Sequence, residues 1–144
     1  MRSAQKITRV QLEVSQSTDP SLIGIVSPEP DYKVSLAINR KLRIALKSGI
    51  PVTTGTGNSE HSFSRFSFTP VTGSITYDLF SNRSGGEFLL KKLKNVDYIL
   101  SVHGSGSIDS IETIAGKIRK IELVTAVFIL DSNTVHDKNL KYLT

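Results

Sequence analysis

The stretch Val96-Asp97-Tyr98-Ile99-Leu100-Ser101-Val102-His103-Gly104 constrains the fold more than any other. It is rich in β-branched and aromatic residues and is bounded by Lys94-Asn95 and by Gly104, so it reads as a strand. Alternation predicts that Val96, Tyr98, Leu100 and Val102 share one face. A helical pattern follows, with Ile111, Ile114, Ala115 and Ile118 on its apolar side and Asp109-Ser110-Ile111-Glu112 resembling a capping box. Val124 to Leu130 is the next strand. The two strands can sit in an antiparallel sheet or pair in parallel through a right-handed crossover.

The N-terminal half supplies the other elements. Ile7 to Val14 alternates apolar and polar residues as a half-buried strand does, and Gln16 to Pro20 is a turn. Leu22 to Val26 is a short apolar strand. Ser27-Pro28-Glu29-Pro30-Asp31 opens a helix, and Val34, Ala37, Ile38, Leu42 and Ala45 carry it to about Lys47. Thr53 to Ser59 is a glycine-rich flexible loop. Phe63–Phe68 and Ser74–Phe80 flank a hairpin signal at Thr69–Gly73, and Asn82-Arg83-Ser84-Gly85-Gly86 is a second turn. Phe88 to Lys94 is an irregular connection.

These elements predict one α+β domain spanning residues 1–144. A mostly antiparallel sheet of about five to six strands carries two helices on one face, in a ferredoxin-like arrangement. The length suffices for a core without staples. The chain has no cysteine, which excludes disulfides, zinc–thiolate sites and thiol nucleophiles. The polar start and the lack of a long apolar run point to a soluble, cytoplasmic protein with no membrane partner. A net charge of +5 favours acidic partners but says nothing about fold.

Val96-Asp97-Tyr98 also carries a resemblance. The chain resembles the IPExxxVDY family, small bacterial proteins, through Leu90-Lys91-Lys92-Leu93-Lys94-Asn95-Val96-Asp97-Tyr98. The Val-Asp-Tyr half matches; Lys91 and Lys92 replace the proline and glutamate of the other half. Leu22 to Ile25, the helix carrying Asn39, Tyr77 to Gly86 and Val127 to Asp131 are similar too. The resemblance implies no catalytic residue and no assigned function, and it marks Val96, Asp97 and Tyr98 as a structural signature.

Asp97, Ser101 and His103 fall on one face of the best strand, as a hydrolase trio would. Positions two apart on a strand are ~7 Å apart and positions four apart ~13 Å, so Asp97 cannot orient His103. No catalytic residue is assigned. Gly104, Ser105, Gly106 and Ser107, between strand and helix, are the candidate ligand site, suited to a small phosphate-bearing anion. Ser64-Arg65-Phe66-Ser67-Phe68, with Arg40, Lys41, Arg43 and Lys47, resembles an RNA-binding sheet, yet Phe66 and Phe68 on one face are more simply core, and nucleic acid is not the expected partner. His61, His103 and His136 lack ligand spacing, so no metal and no cofactor is expected. Asp97 is the least expected strand residue. It requires donors, and Arg83 or the amides of Ser84-Gly85-Gly86 are placed to supply them. The leading expectation is a non-catalytic protein acting through protein contacts, with a homodimer as one form.

Overall fold

The computed structural model describes residues 20–71, 75–104, 110–131 and 137–143. The expected strand Ile7–Val14 lies outside them. The first described strand, β1 (Ser21–Val26), is apolar at nearly every position because it lies in the middle of a sheet. Gly24 is closely packed there: a Cβ would sit 3.1 and 3.3 Å from the two methyls of Val96, so a larger residue would push that side chain aside.

Helix α1 spans Asp31–Leu42 and begins directly after Pro30, whose fixed φ suits that position. It ends at Leu42 rather than near Lys47. Arg43 turns into the left-handed region (φ 58), and the Asn39 side chain then clasps the returning backbone. Leu46 N–H donates to Asn39 Oδ1 at 2.8 Å, and Asn39 Nδ2 donates to Leu46 O at 3.2 Å. Leu46, not Ala45, therefore faces the core.

The segment expected to be a loop is a small hairpin. β3 (Val52–Thr54) pairs with β4 (His61–Phe63) around a 3₁₀ turn at Gly57–Ser59, after the two-residue strand β2 (Lys47–Ser48). β5 (Arg65–Phe68) and β6 (Ile75–Ser81) form the predicted hairpin. β7 (Arg83–Ser84) and β8 (Glu87–Phe88) make a minimal one around Gly85. β9 (Tyr98–Gly104), α2 (Ile111–Arg119) and β10 (Ala126–Leu130) complete the regular structure, and a 3₁₀ segment, Lys138–Leu143, ends the described chain. The N-cap of α2 is Ser110, whose hydroxyl accepts from Thr113 N–H at 3.2 Å. The N-cap is thus one residue after Asp109, the first residue of the expected capping box, which lies outside the described residues.

The main sheet is antiparallel throughout, in the order β10-β1-β9-β6-β5-β2. β9 and β10 run in the same direction, as the crossover alternative required, but β1 is inserted between them. β1 and β6 likewise flank β9. These interleaved β-α-β units give β10-β1-β9-β6 the strand order of the ferredoxin-like arrangement, with β5 and β2 added at one edge.

Both helices cover one face. Val34 and Ile38 of α1 and Ile114, Ala115 and Ile118 of α2 pack on Ile23, Ile25, Leu79, Tyr98, Leu100 and Val102. Each such buried side chain contributes about 1.5–3 kcal/mol. The opposite face carries a second core that strand alternation alone did not suggest. Leu22, Phe80 and Ile99 meet Phe63, Leu89, Leu90, Val96 and Leu143 there. Val96 thus lies across the sheet from Tyr98 and does not share its face. The strand starts at Tyr98, and the bend at Asp97 turns Val96 to the other side.

Candidate functional site

Asp97 stands at that bend and joins three segments. Its Oδ2 accepts from Ser27 N–H at 3.0 Å, and its Oδ1 accepts from Arg83 Nε at 2.5 Å. Arg83 Nη2 also donates to Lys94 O at 3.3 Å, and its guanidinium lies over the Phe88 ring, 4.9 Å from the centroid. Arg83 is thus a partner of Asp97, as its chemistry suggested. The backbone donor comes from Ser27 rather than from Ser84-Gly85-Gly86. Beside it, Tyr98 hydroxyl donates to Glu29 O at 2.5 Å. Burial, and then the carboxylates of Asp31, Asp97 and Glu29, push the Tyr98 phenol up to about 12.

Asn82 organises the irregular connection. It is fully buried; its Nδ2 donates to Leu93 O (2.9 Å) and Val96 O (2.8 Å), and its Oδ1 accepts from Leu90 N–H (2.7 Å). Val96, Asp97 and Tyr98 therefore have three separate structural tasks: second core, charged clasp, first core.

A serine, a histidine and an aspartate do meet, at Asp78 in the middle of β6, and not at Asp97. Its side chain is 2% exposed. Oδ1 accepts from Arg65 Nε at 3.1 Å and from the Ser67 hydroxyl; Oδ2 lies 3.3 Å from His103 Nε2. The register explains the convergence: Asp78 pairs with Ser67 on one side and Ser101 on the other. Arg65 also lies over the Phe80 ring, 5.6 Å from the centroid. Ser67 and His103 each contact the carboxylate, which is not the nucleophile-to-base-to-carboxylate order that nucleophilic catalysis needs. Ser101 takes no part: its hydroxyl donates to Leu143 O at 2.9 Å and anchors the C-terminal segment. Asp97 stands apart from His103, as the spacing predicted.

The remaining expectations divide. Gly104 closes β9 with φ 119, whereas Ser105, Gly106 and Ser107 lie outside the described residues, as does His136. Phe66 and Phe68 pack against the core on the helix-covered face, with Phe68 stacked on Tyr77 at 6.3 Å. That is the core role favoured from sequence, and it does not leave them as an open stacking platform.

One concavity was not legible at all. A cleft of about 360 Å³ opens between the β3–β4 hairpin, β8 and the C-terminal 3₁₀ segment. Lys91, Lys138 and Lys141 line it together with His61 and Glu87. These residues come from segments far apart in sequence, from His61 to Lys141, and only the packing of the tail assembles them. Asn139 Nδ2 donates to Leu89 O at 2.7 Å, and Leu143 is buried in the second core. Gly55, at φ 80, lets the hairpin turn over this cleft, since a Cβ would lie 2.3 Å from Ser59 O.

Fold and site define a class: an α+β domain with a closed polar cluster on one sheet face and a cationic cleft beside it. No family model, no curated protein and no solved structure matches the chain. No helix among the described residues is long and apolar enough to cross a membrane.

Proposed function

We propose that the protein is a non-catalytic, cytoplasmic binding domain that acts through contacts with another protein chain, and that strand β10 is its contact element. One observation carries this reading. β10 is Ala126-Val127-Phe128-Ile129-Leu130, with neither a charge nor a proline, and among the described residues it stands at the end of the sheet. Phe128 and Ile129, on opposite faces, are 42% and 43% exposed. Edge strands are ordinarily blunted by charges, prolines or bulges, because their unpaired backbone recruits other strands. An apolar edge of this kind fits addition of a strand from a partner, with a second copy of the chain as the simplest case. Membership of the IPExxxVDY family belongs to the same proposal, supported by the separate tasks of Val96, Asp97 and Tyr98.

The test is light scattering over a concentration series, together with affinity purification from the host read by mass spectrometry. Self-association or a recovered partner that is lost in Phe128→Lys, with circular dichroism unchanged, is the expected result. A monomer at every concentration that also recovers no partner sinks the reading.

A further inference from the structure

Three hydrogen bonds show which backbone groups of β10 are free. Ile25 O accepts from Asp97 N–H at 2.9 Å, so the backbone of Ile25 faces β9. Val26 O accepts from Thr125 N–H at 2.8 Å, so that of Val26 faces β10. Successive residues of an antiparallel strand present their backbone groups to opposite sides. Gly24 and Val26 therefore bond to Phe128 and Ala126, their partners in β10. Val127 and Ile129, opposite Ile25 and Ile23, direct their N–H and C=O away from the sheet. The third bond agrees: Arg119 Nη2, from α2, reaches Val127 O at 3.5 Å.

We propose that the strand added here is β10 of a second copy, antiparallel, with Phe128 on the twofold axis and Arg119 as the latch; this rests on β10 being the contact element. Thr125 N–H is already taken by Val26, so within β10 only Val127 and Ile129 bond outward. The register centred on Phe128 sets Val127 of each copy against Ile129 of the other and uses all of these groups. A register centred on Val127 sets Ile129 against Thr125, and one centred on Ile129 sets Val127 beyond the end of the strand. The Phe128 register also pairs that residue with itself in the closer, non-bonded way, with Cα atoms ~4.5 Å apart. The two exposed rings then cover each other on one face, and Ile129 lies beside Val127 of the other copy on the opposite face. The charges are complementary as well. Arg119 reaches over Val127 from the helix-covered face, and Asp131 directly follows Leu130 at the far end of the strand. The twofold sets Asp131 of the other copy opposite Thr125, ~7 Å along the strand from Val127, a distance that an arginine and an aspartate side chain span together. Asp131 already has an interaction within its own chain, and a carboxylate with about four lone-pair sites accepts a further donor. Arg119 gives up its long bond to Val127 O as the incoming N–H replaces it.

Cysteine cross-linking reads the register, because the chain has no cysteine of its own. The pairing sets Ala126 opposite Leu130 of the other copy at the non-bonded spacing, which a disulfide spans. A mixture of Ala126→Cys and Leu130→Cys proteins should therefore give a covalent dimer under mild oxidation with copper phenanthroline, and Phe128→Cys should cross-link to itself. Ala126→Cys alone, Leu130→Cys alone and Ile50→Cys, at a position 81% exposed beside the other edge of the sheet, should not. By light scattering, Arg119→Glu should weaken the dimer about tenfold, and Arg119→Glu/Asp131→Arg should restore it. Cross-links no stronger in the mixture than in its components overturn the pairing; if Phe128→Lys still abolishes association, β10 remains the contact element in another register. A monomer at every concentration overturns it too, and a partner chain recovered from the host through Phe128 then keeps β10 as the contact element. Phe128 is intact in the mixture, so the mixture decides even where Phe128→Cys weakens association.

Discussion

Arg83 Nε lies 2.5 Å from Asp97 Oδ1, and this ion pair ties the β7 turn to the bend from which β9 starts. Arg83 is half-exposed, so water screens the pair and it is worth little by itself. The other oxygen matters more, because it satisfies Ser27 N–H at the end of β1. Asp97→Ala removes both acceptors and should cost about 1–3 kcal/mol. Asp97→Asn keeps an oxygen for Ser27 and should cost less, and Arg83→Ala less again. Urea midpoints of the three variants give the order; an unchanged midpoint in Asp97→Ala refutes the clasp.

Asn82 should be more sensitive. Its buried amide satisfies Leu90 N–H and two carbonyls; alanine leaves Leu90 N–H and Val96 O without that partner, while Leu93 O keeps its bond from Val96 N–H. A loss of about 2 kcal/mol or more is expected, at about 1 kcal/mol or more for each of the two orphaned groups. The same urea series measures it. A loss under about 1 kcal/mol would show that water reaches the connection.

At Asp78 the cost comes from what is left behind. Asp78→Ala strands the Ser67 hydroxyl and the guanidinium of Arg65. Because Arg65 is 35% exposed and His103 27%, both can rehydrate in part. The expected loss is about 3 kcal/mol, the low end for a broken buried pair. Differential scanning calorimetry checks it; Ser67→Ala, which leaves Arg65 and His103 in place, should cost less.

Tyr98 predicts an alkaline limit. Its phenol is raised from 10.0 to about 12 by burial and by Asp31, Asp97 and Glu29. The folded protein thus keeps a proton that the unfolded chain releases above pH ~10. This contribution is complete below that pH and is lost as pH rises through about 12, a fall on the order of 2 kcal/mol. Tyr98→Phe should flatten the stability slope over that window. Ultraviolet titration of the wild type should show a late tyrosinate; a normal titration of every tyrosine contradicts the buried phenol. Tyr98→Ala, which empties part of the core, should cost about 3–5 kcal/mol.

Single-stranded RNA should attach only through net charge. With Phe66 and Phe68 packed on the core, fluorescence anisotropy should show weak binding that vanishes at physiological salt. Saturable binding at that salt, lost in Phe66→Ala with folding intact, would contradict this.

The amino-acid sequence by itself determined the elements whose apolar period is local. β1, α1 to Leu42, the β5–β6 hairpin, β9 from Tyr98 onward and α2 follow from side chains at spacings of two or three to four, and their shared apolar face implies helices on one side of a sheet. Arg83 was legible as a partner of Asp97 because a carboxylate beside a core must find a donor. The tertiary structure decided the rest. Whether α1 stops at Leu42 depends on Asn39 reaching Leu46, a side-chain bond outside any periodicity. The second core needs Leu143 brought to Ile99, and the charge of Asp78 is met by residues 11, 13 and 25 positions away. The lysine cleft is formed by a hairpin and a tail that touch only when both are docked. Periodicity is a property of neighbours along the chain, whereas burial of polar groups is settled by neighbours across the sheet, and register alone brings those together.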